Sequence, residues 1–141
     1  MLALEPIIVE RLKAELPAGA AWLVKGHATD GGDRRPADGP VAVVMFADAS
    51  VPSVRGTAAV VQSVWTVLLA TRRMGLVSVA LIDAAFAQAV ASLHNWRPGL
   101  VAGRQWEPLM LARVAPPQYV EDGLVGLEIT FTTSGLYPGQ S

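Results

Sequence analysis

The stretch TAAVVQSVWTVLLAT, residues 57–71, decides the fold. In an extended chain Ala59, Val61, Trp65, Val67 and Leu69 fall on one face, and Val60, Val64 and Leu68 on the other, beside Gln62 and Thr66. Enrichment in valine, threonine and tryptophan favours a strand over a helix. At ~3.3 Å per residue this strand spans ~50 Å, beyond the usual length, so it either bends at a bulge or reaches past its own core. Ser63, near its middle, is expected to point its hydroxyl outward.

Working toward the C-terminus, residues 72–75 make a turn and residues 79–94 predict a helix. Ile82, Phe86, Ala89, Leu93 and Trp96 recur at helical spacing. Ala80, Ala84, Ala87 and Ala91 form a second, small-residue face that lets another backbone approach closely, and Asn95, Pro98 and Gly99 stop the helix. Residues 109–114 and 124–133 read as two strands joined through Glu121-Asp122-Gly123, the second with Val125, Leu127, Ile129 and Phe131 facing inward. Residues 134–141 read as a tail.

Toward the N-terminus, residues 48–56 read as a turn region on the strength of Pro52 and Gly56. The continuously apolar residues 41–47 suit a strand covered on both faces. Residues 27–40 form a glycine- and proline-bearing loop, and residues 21–24 a short strand. Residues 4–16 predict an amphipathic helix: Leu4, Ile8, Leu12 and Leu16 line one face, Pro6 suits the first turn, and Pro17 and Gly19 end it.

Hairpin-type links dominate this order, and no alternating strand–helix–strand pattern occurs. The expectation is an α+β fold: a mainly antiparallel sheet of about five strands with two helices packed on one face. Residues 1–133 are expected to form a single domain, with residues 134–141 a flexible tail. Composition supports a packed core, since 52% of the 141 residues are apolar and 16% charged. Eleven basic and twelve acidic residues give a net charge of −1, which provides no field to recruit nucleic acid or an acidic membrane. The absence of cysteine excludes disulfides, thiolate metal sites and a cysteine nucleophile. The first residues carry Glu5 and Glu10 and no basic n-region, and the apolar runs at 64–70 and 77–82 fall short of the ~20 residues of a membrane span. The expectation is a soluble chain without a targeting segment.

No residue pattern carries chemistry. His27 and His94 lack partners at ligand spacing. Asp30, Asp33 and Asp38 share a loop but lack the alternation of an EF-hand, and Arg34-Arg35 oppose a cation. Neither a phosphate-cradling glycine motif nor a nucleophile elbow is present. We therefore expect no enzyme, no cofactor and no metal. Trp65 and Trp96 continue apolar stripes and are expected in the core. Trp106 and Tyr119, at loop edges beside Arg104, Glu107 and the Pro116-Pro117 pair, have the character of partner-contact aromatics.

The order and length of three segments resemble a known family. They are VVQSVWTVLLATRR (residues 60–73), LIDAAFAQAVASLHNWRP (residues 81–98) and PLMLARVAPPQYVEDGLVGLEITFTT (residues 108–133). Together with the N-terminal helix they are similar to the tail terminator proteins of long-tailed bacteriophages, of the lambda U-like and Mu-type groups. The resemblance implies a structural protein of a phage or prophage that forms a homo-hexameric ring. Such a ring caps the tail tube, stops its polymerisation and presents a surface to the head–tail connector. It implies a location in the virion tail after assembly in the bacterial host cytoplasm, with no sequence-specific nucleic acid or membrane partner. On this reading Asp48, Arg55, Arg72 and Arg73 are expected at subunit or tube contacts, followed by Arg104, Trp106 and Tyr119. The competing readings are another head–tail joining or tail completion factor and a small-ligand-binding module. The loop at residues 29–38 matches nothing in the family.

Overall fold

In the computed structural model, which describes residues 1–16, 22–30, 39–117 and 123–140, the long strand is present as β3 (Ala58–Arg72). It lies between two strands of equal length, β2 (Val41–Arg55) and β7 (Leu124–Pro138), and is antiparallel to both. β1 (Leu23–Gly26) runs parallel to the start of β2. β4 (Gly99–Val101) and β5 (Arg104–Trp106) form a small hairpin, and β6 (Met110–Ala115) pairs with β7. The path through the sheet is β1-β2-β3-β7-β5-β4, with β6 also on β7. The helices are α1 (Leu4–Glu15), the short α2 (His27–Asp30) and α3 (Leu76–Leu93).

The expected sheet of five strands with two helices on one face is therefore corrected. Among the described residues seven strands form a curled half-barrel sheet, three helices accompany it, and strand accounts for 50% of them. The largest difference falls at residues 48–56. Asp48 and Pro52 read as turn residues, yet β2 continues through them to Arg55. Two register breaks, between Phe46 and Asp48 and between Ser50 and Ser53, accommodate them. Pro52 sits inside the second break, where no ladder hydrogen bond is required of it. The turn shrinks to Gly56-Thr57, with Gly56 at φ 62°. β7 likewise runs on, so residues 134–138, expected in the tail, pair with residues 58–62. β4 and β5 escape the sequence reading because their turn uses Ala102 (φ 52°) before Gly103 (φ 76°), where asparagine or aspartate is usual. The expected turn at 72–75 starts one residue later, since Arg72 still pairs with Leu124, and α3 begins at Leu76.

The core gathers around one face of β3. Trp65, Val67 and Leu69 join Ala42 and Val44 of β2, Ile129 and Phe131 of β7, the α1 stripe, and Ile82, Ala85, Ala89 and Leu93 of α3. Val41, Val43, Met45, Leu68 and Ala70 form a second, smaller cluster. Alternate residues along the start of β2 thus feed different clusters, which explains why this run is apolar throughout. By length and composition α3 would also serve as a membrane span, with mean hydropathy 1.9 over 18 residues, contrary to the sequence reading. In this fold one side of it packs on α1, β3 and β7, and a third of it (33%) is buried.

Ser63 is fully buried rather than outward-facing. Its hydroxyl accepts the indole N–H of Trp65 at 3.0 Å and donates to the Thr133 carbonyl at 3.3 Å. The Glu5 carboxylate, 1% exposed, holds the start of α2. It accepts from the Ala28 and Thr29 backbone N–H groups at 3.1 and 2.9 Å and from the Thr29 hydroxyl at 2.5 Å. Gly26 makes room for it, because a Cβ there would lie 2.6 Å from Glu5 Oε2.

Candidate functional site

Of the seven residues expected at contacts, the six that are described do not form one site. Arg55 ends β2 beside the Gly56-Thr57 turn, and Arg104 lies near the same end of the sheet, on β5. Arg72 and Arg73 lie at the opposite end, where β3 meets the start of β7. The Arg73 backbone donates to Gly123 O at 2.7 Å and its guanidinium to Leu124 O at 3.5 Å, so part of its role is to fasten that corner. Asp48 is exposed at the first β2 register break, where its carboxylate accepts the Ala49 N–H at 2.8 Å.

Arg104 and Trp106 are committed within the chain. The Arg104 guanidinium stacks 3.6 Å above the Tyr137 ring and donates to the Leu136 carbonyl. Trp106, at 1% exposure, packs edge-on against Tyr137 and lies over Gly135, where an added Cβ would sit 3.0 Å from its ring. It has no surface to offer a partner in this conformation. Tyr119 lies outside the described residues, as do Asp33, Arg34, Arg35 and Asp38.

Other side chains sort as follows. Trp65 is fully buried, and Trp96 is half-buried against the core with Arg11 stacked on it at 5.4 Å. His94 ends α3 and its Nδ1 accepts the Leu111 N–H at 3.0 Å, so it serves as a backbone clasp. The Asp30 carboxylate accepts the Gly26 N–H at 2.9 Å. Among the described residues no three His, Asp or Glu side chains come together in a metal-binding group. Arg55, Val60, Gln105, Glu107, Ser134 and Leu136 line an open groove of about 220 Å³.

Besides Leu2, Leu23, Leu100, Met110 and Val114, the structure exposes large apolar side chains in two further places. The first is the outer face of α3. Leu76 is 86% and Val77 66% exposed, with Met74 and Val79 beside them. Ala80, Ala84, Ala87 and Ala91, the small-residue face read from the sequence, are exposed as well, and Asp83 is the single charge in the helix. The second is the β2–β3 tip with the end of β7, where Val51, Val54 and Leu136 are exposed; Leu136 shares a sheet face with Val60 and Ser53, and Val54, opposite Ala59, lies on the other face of the thin tip. Single exposed apolar residues are ordinary, but contiguous patches mark contact surfaces. The sequence reading missed Leu76, Val77 and Val79 as surface. The position of Leu76 and Val77 off the Ile82–Phe86–Ala89–Leu93 stripe was the available signal, whereas Val79 falls at stripe spacing and gave none.

The fold so defined is a mostly-β domain, a long curled sheet with helices over it, that exposes apolar side chains at both ends. A solved structure shares this fold along nearly its whole length: a chain of the virion of a native gene transfer agent particle. The TM-score is 0.69 and the identity 16%, over 95% of each chain. No family model and no curated protein matches the sequence.

Proposed function

We propose that this chain is a tail terminator: a structural protein that forms a ring on the end of a phage-type tail tube, stops its growth and presents a docking surface to the head connector. The observation that carries this reading is the end-to-end fold likeness to a component of an assembled, phage-like gene transfer agent virion. The terminator role itself comes from the resemblance of residues 60–73, 81–98 and 108–133 to that family.

The physical requirements are modest. Copies that meet through unlike surfaces form a ring when the rotation per copy closes, and an open filament when it does not. A capping ring needs one face that fits the end of the tube and another that does not accept a further tube ring. No bond is made or broken, and we propose no enzymatic activity, cofactor or metal. The partners of this reading are identical copies in a hexamer, the tube protein and the head connector.

The test is polymerisation of the cognate tube protein, taken from the genome neighbourhood, with and without this chain. Negative-stain images are expected to show shorter tubes with a cap at one end as the chain is added. An unchanged length distribution at a clear molar excess contradicts the reading.

A further inference from the structure

We propose that the β2–β3 tip of one copy docks on the exposed face of α3 of the next copy, with Arg55 reaching Asp83. The proposal rests on the ring-forming reading above and names the two surfaces that meet.

The chain path places these surfaces far apart. β3 leaves the tip at Ala58 and reaches Arg72 after 15 residues, a span of about 50 Å. α3 begins at Leu76, just beyond that far end. The exposed Met74, Leu76 and Val77 therefore lie at one end of the long strand, and Val51, Val54 and Leu136 at the other. A single copy cannot cover one patch with the other. Copies arranged head to tail can, and such contacts are the kind that close into rings.

Charge decides which surface α3 receives. Asp83 is the single charge within Leu76–Leu93, and Arg55 is the single charge from residue 49 to residue 61. Among the described residues the ion pairs are Arg11–Glu15 and Lys13–Glu10, so neither Asp83 nor Arg55 has an ion-pair partner among them. Burying either charge alone under an apolar neighbour is costly, whereas burying them together lets each satisfy the other. Twofold packing of α3 on itself fails this condition. Asp83 sits near the middle of the helix, so an antiparallel pair would bring two carboxylates together.

Shape agrees with charge. Ala80, Ala84, Ala87 and Ala91 leave the helix backbone open to close approach, which suits a thin hairpin. Strand addition at the tip is a poorer alternative. Pro52 and the register break between Ser50 and Ser53 interrupt the outer edge of β2, devices that discourage edge-to-edge pairing. The tip is built to dock through side chains.

The experiment compares Asp83→Arg, Arg55→Glu and the double variant with the wild-type chain by analytical ultracentrifugation over a range of concentrations. Each single variant is expected to weaken assembly by about tenfold or more, and the double variant to recover most of that loss. Both positions are exposed, and circular dichroism confirms that each variant is folded. A second measurement uses the absence of native cysteine. Ser53→Cys chains mixed with Ala80→Cys chains are expected to give a cross-linked dimer with a short bismaleimide, while neither gives one alone. If the wild-type chain assembles but the single variants assemble equally well, or the mixture gives no cross-link, the docking is overturned and the ring reading stands. A wild-type chain that stays monomeric at every concentration, with tube ends present, overturns both.

Discussion

Gly126→Ala is expected to be the most damaging single methyl group in the chain, lowering stability by about 3 kcal/mol or more. Gly126 lies opposite Ala70 in the central β3–β7 pair. A Cβ at this position would stand 2.2 Å from the Leu69 carbonyl oxygen and 3.2 Å from the Ala70 Cα. The obstacle is backbone of the neighbouring strand, which no side-chain rotation relieves. The two strands must separate locally, and each lost ladder bond leaves buried groups unsatisfied. Gly135→Ala makes the informative comparison, because its neighbour is the Trp106 ring at 3.0 Å and a ring can shift. Urea unfolding midpoints of the two variants measure the difference. A Gly126→Ala protein within about 0.5 kcal/mol of wild type would show that β3 and β7 are not held in the register described.

Trp65→Ala is expected to cost about 3–5 kcal/mol, the range for removing a fully buried large aromatic side chain. Trp65 is 0% exposed, meets Phe46 edge-on at 5.6 Å, and donates its indole N–H to Ser63. Truncation therefore opens a cavity at the centre of the main cluster and leaves the buried Ser63 hydroxyl without its donor. Against a typical domain stability of about 5–15 kcal/mol, such a loss removes much of the folded population at elevated temperature. Trp65→Phe keeps most of the volume and is expected to lose far less. Calorimetric melting of the two variants separates packing from the hydrogen bond. Equal melting temperatures for Trp65→Ala and wild type would contradict the placement of this residue.

The contrast between Trp65 and Trp106 shows what a sequence makes legible here. Trp65 sits in a long run of alternating apolar residues, so its burial follows from periodicity, as does that of Leu4, Ile8 and Leu12 in α1 and of Leu16 just beyond it. Trp106 sits in a strand of three residues, too short to show a period, and what covers it is Gly135 and Tyr137 from a distant segment. Gly135 and Pro138 look like the end of a strand in sequence. In the fold Gly135 is small because the Trp106 ring lies over it. The same reasoning applies to β2. Asp48 and Pro52 carry turn chemistry, and only the pairing with β3 shows that register breaks absorb them.

The surfaces were partly legible. The alanine face of α3 follows from helical spacing and is exposed as that spacing implies. The partnership of Asp83 with Arg55 was not legible, since it depends on which end of a long strand each occupies. Of the arginines singled out in the sequence, Arg55 remains at an exposed apolar end, whereas Arg104 is occupied by Tyr137 and Leu136.

Native mass spectrometry with two-dimensional class averages of the purified chain, alone and with tube ends, tests the central claim most directly. The account predicts closed rings of six copies joined head to tail. Twofold dimers related through α3, or a chain that remains single under every condition, would contradict it.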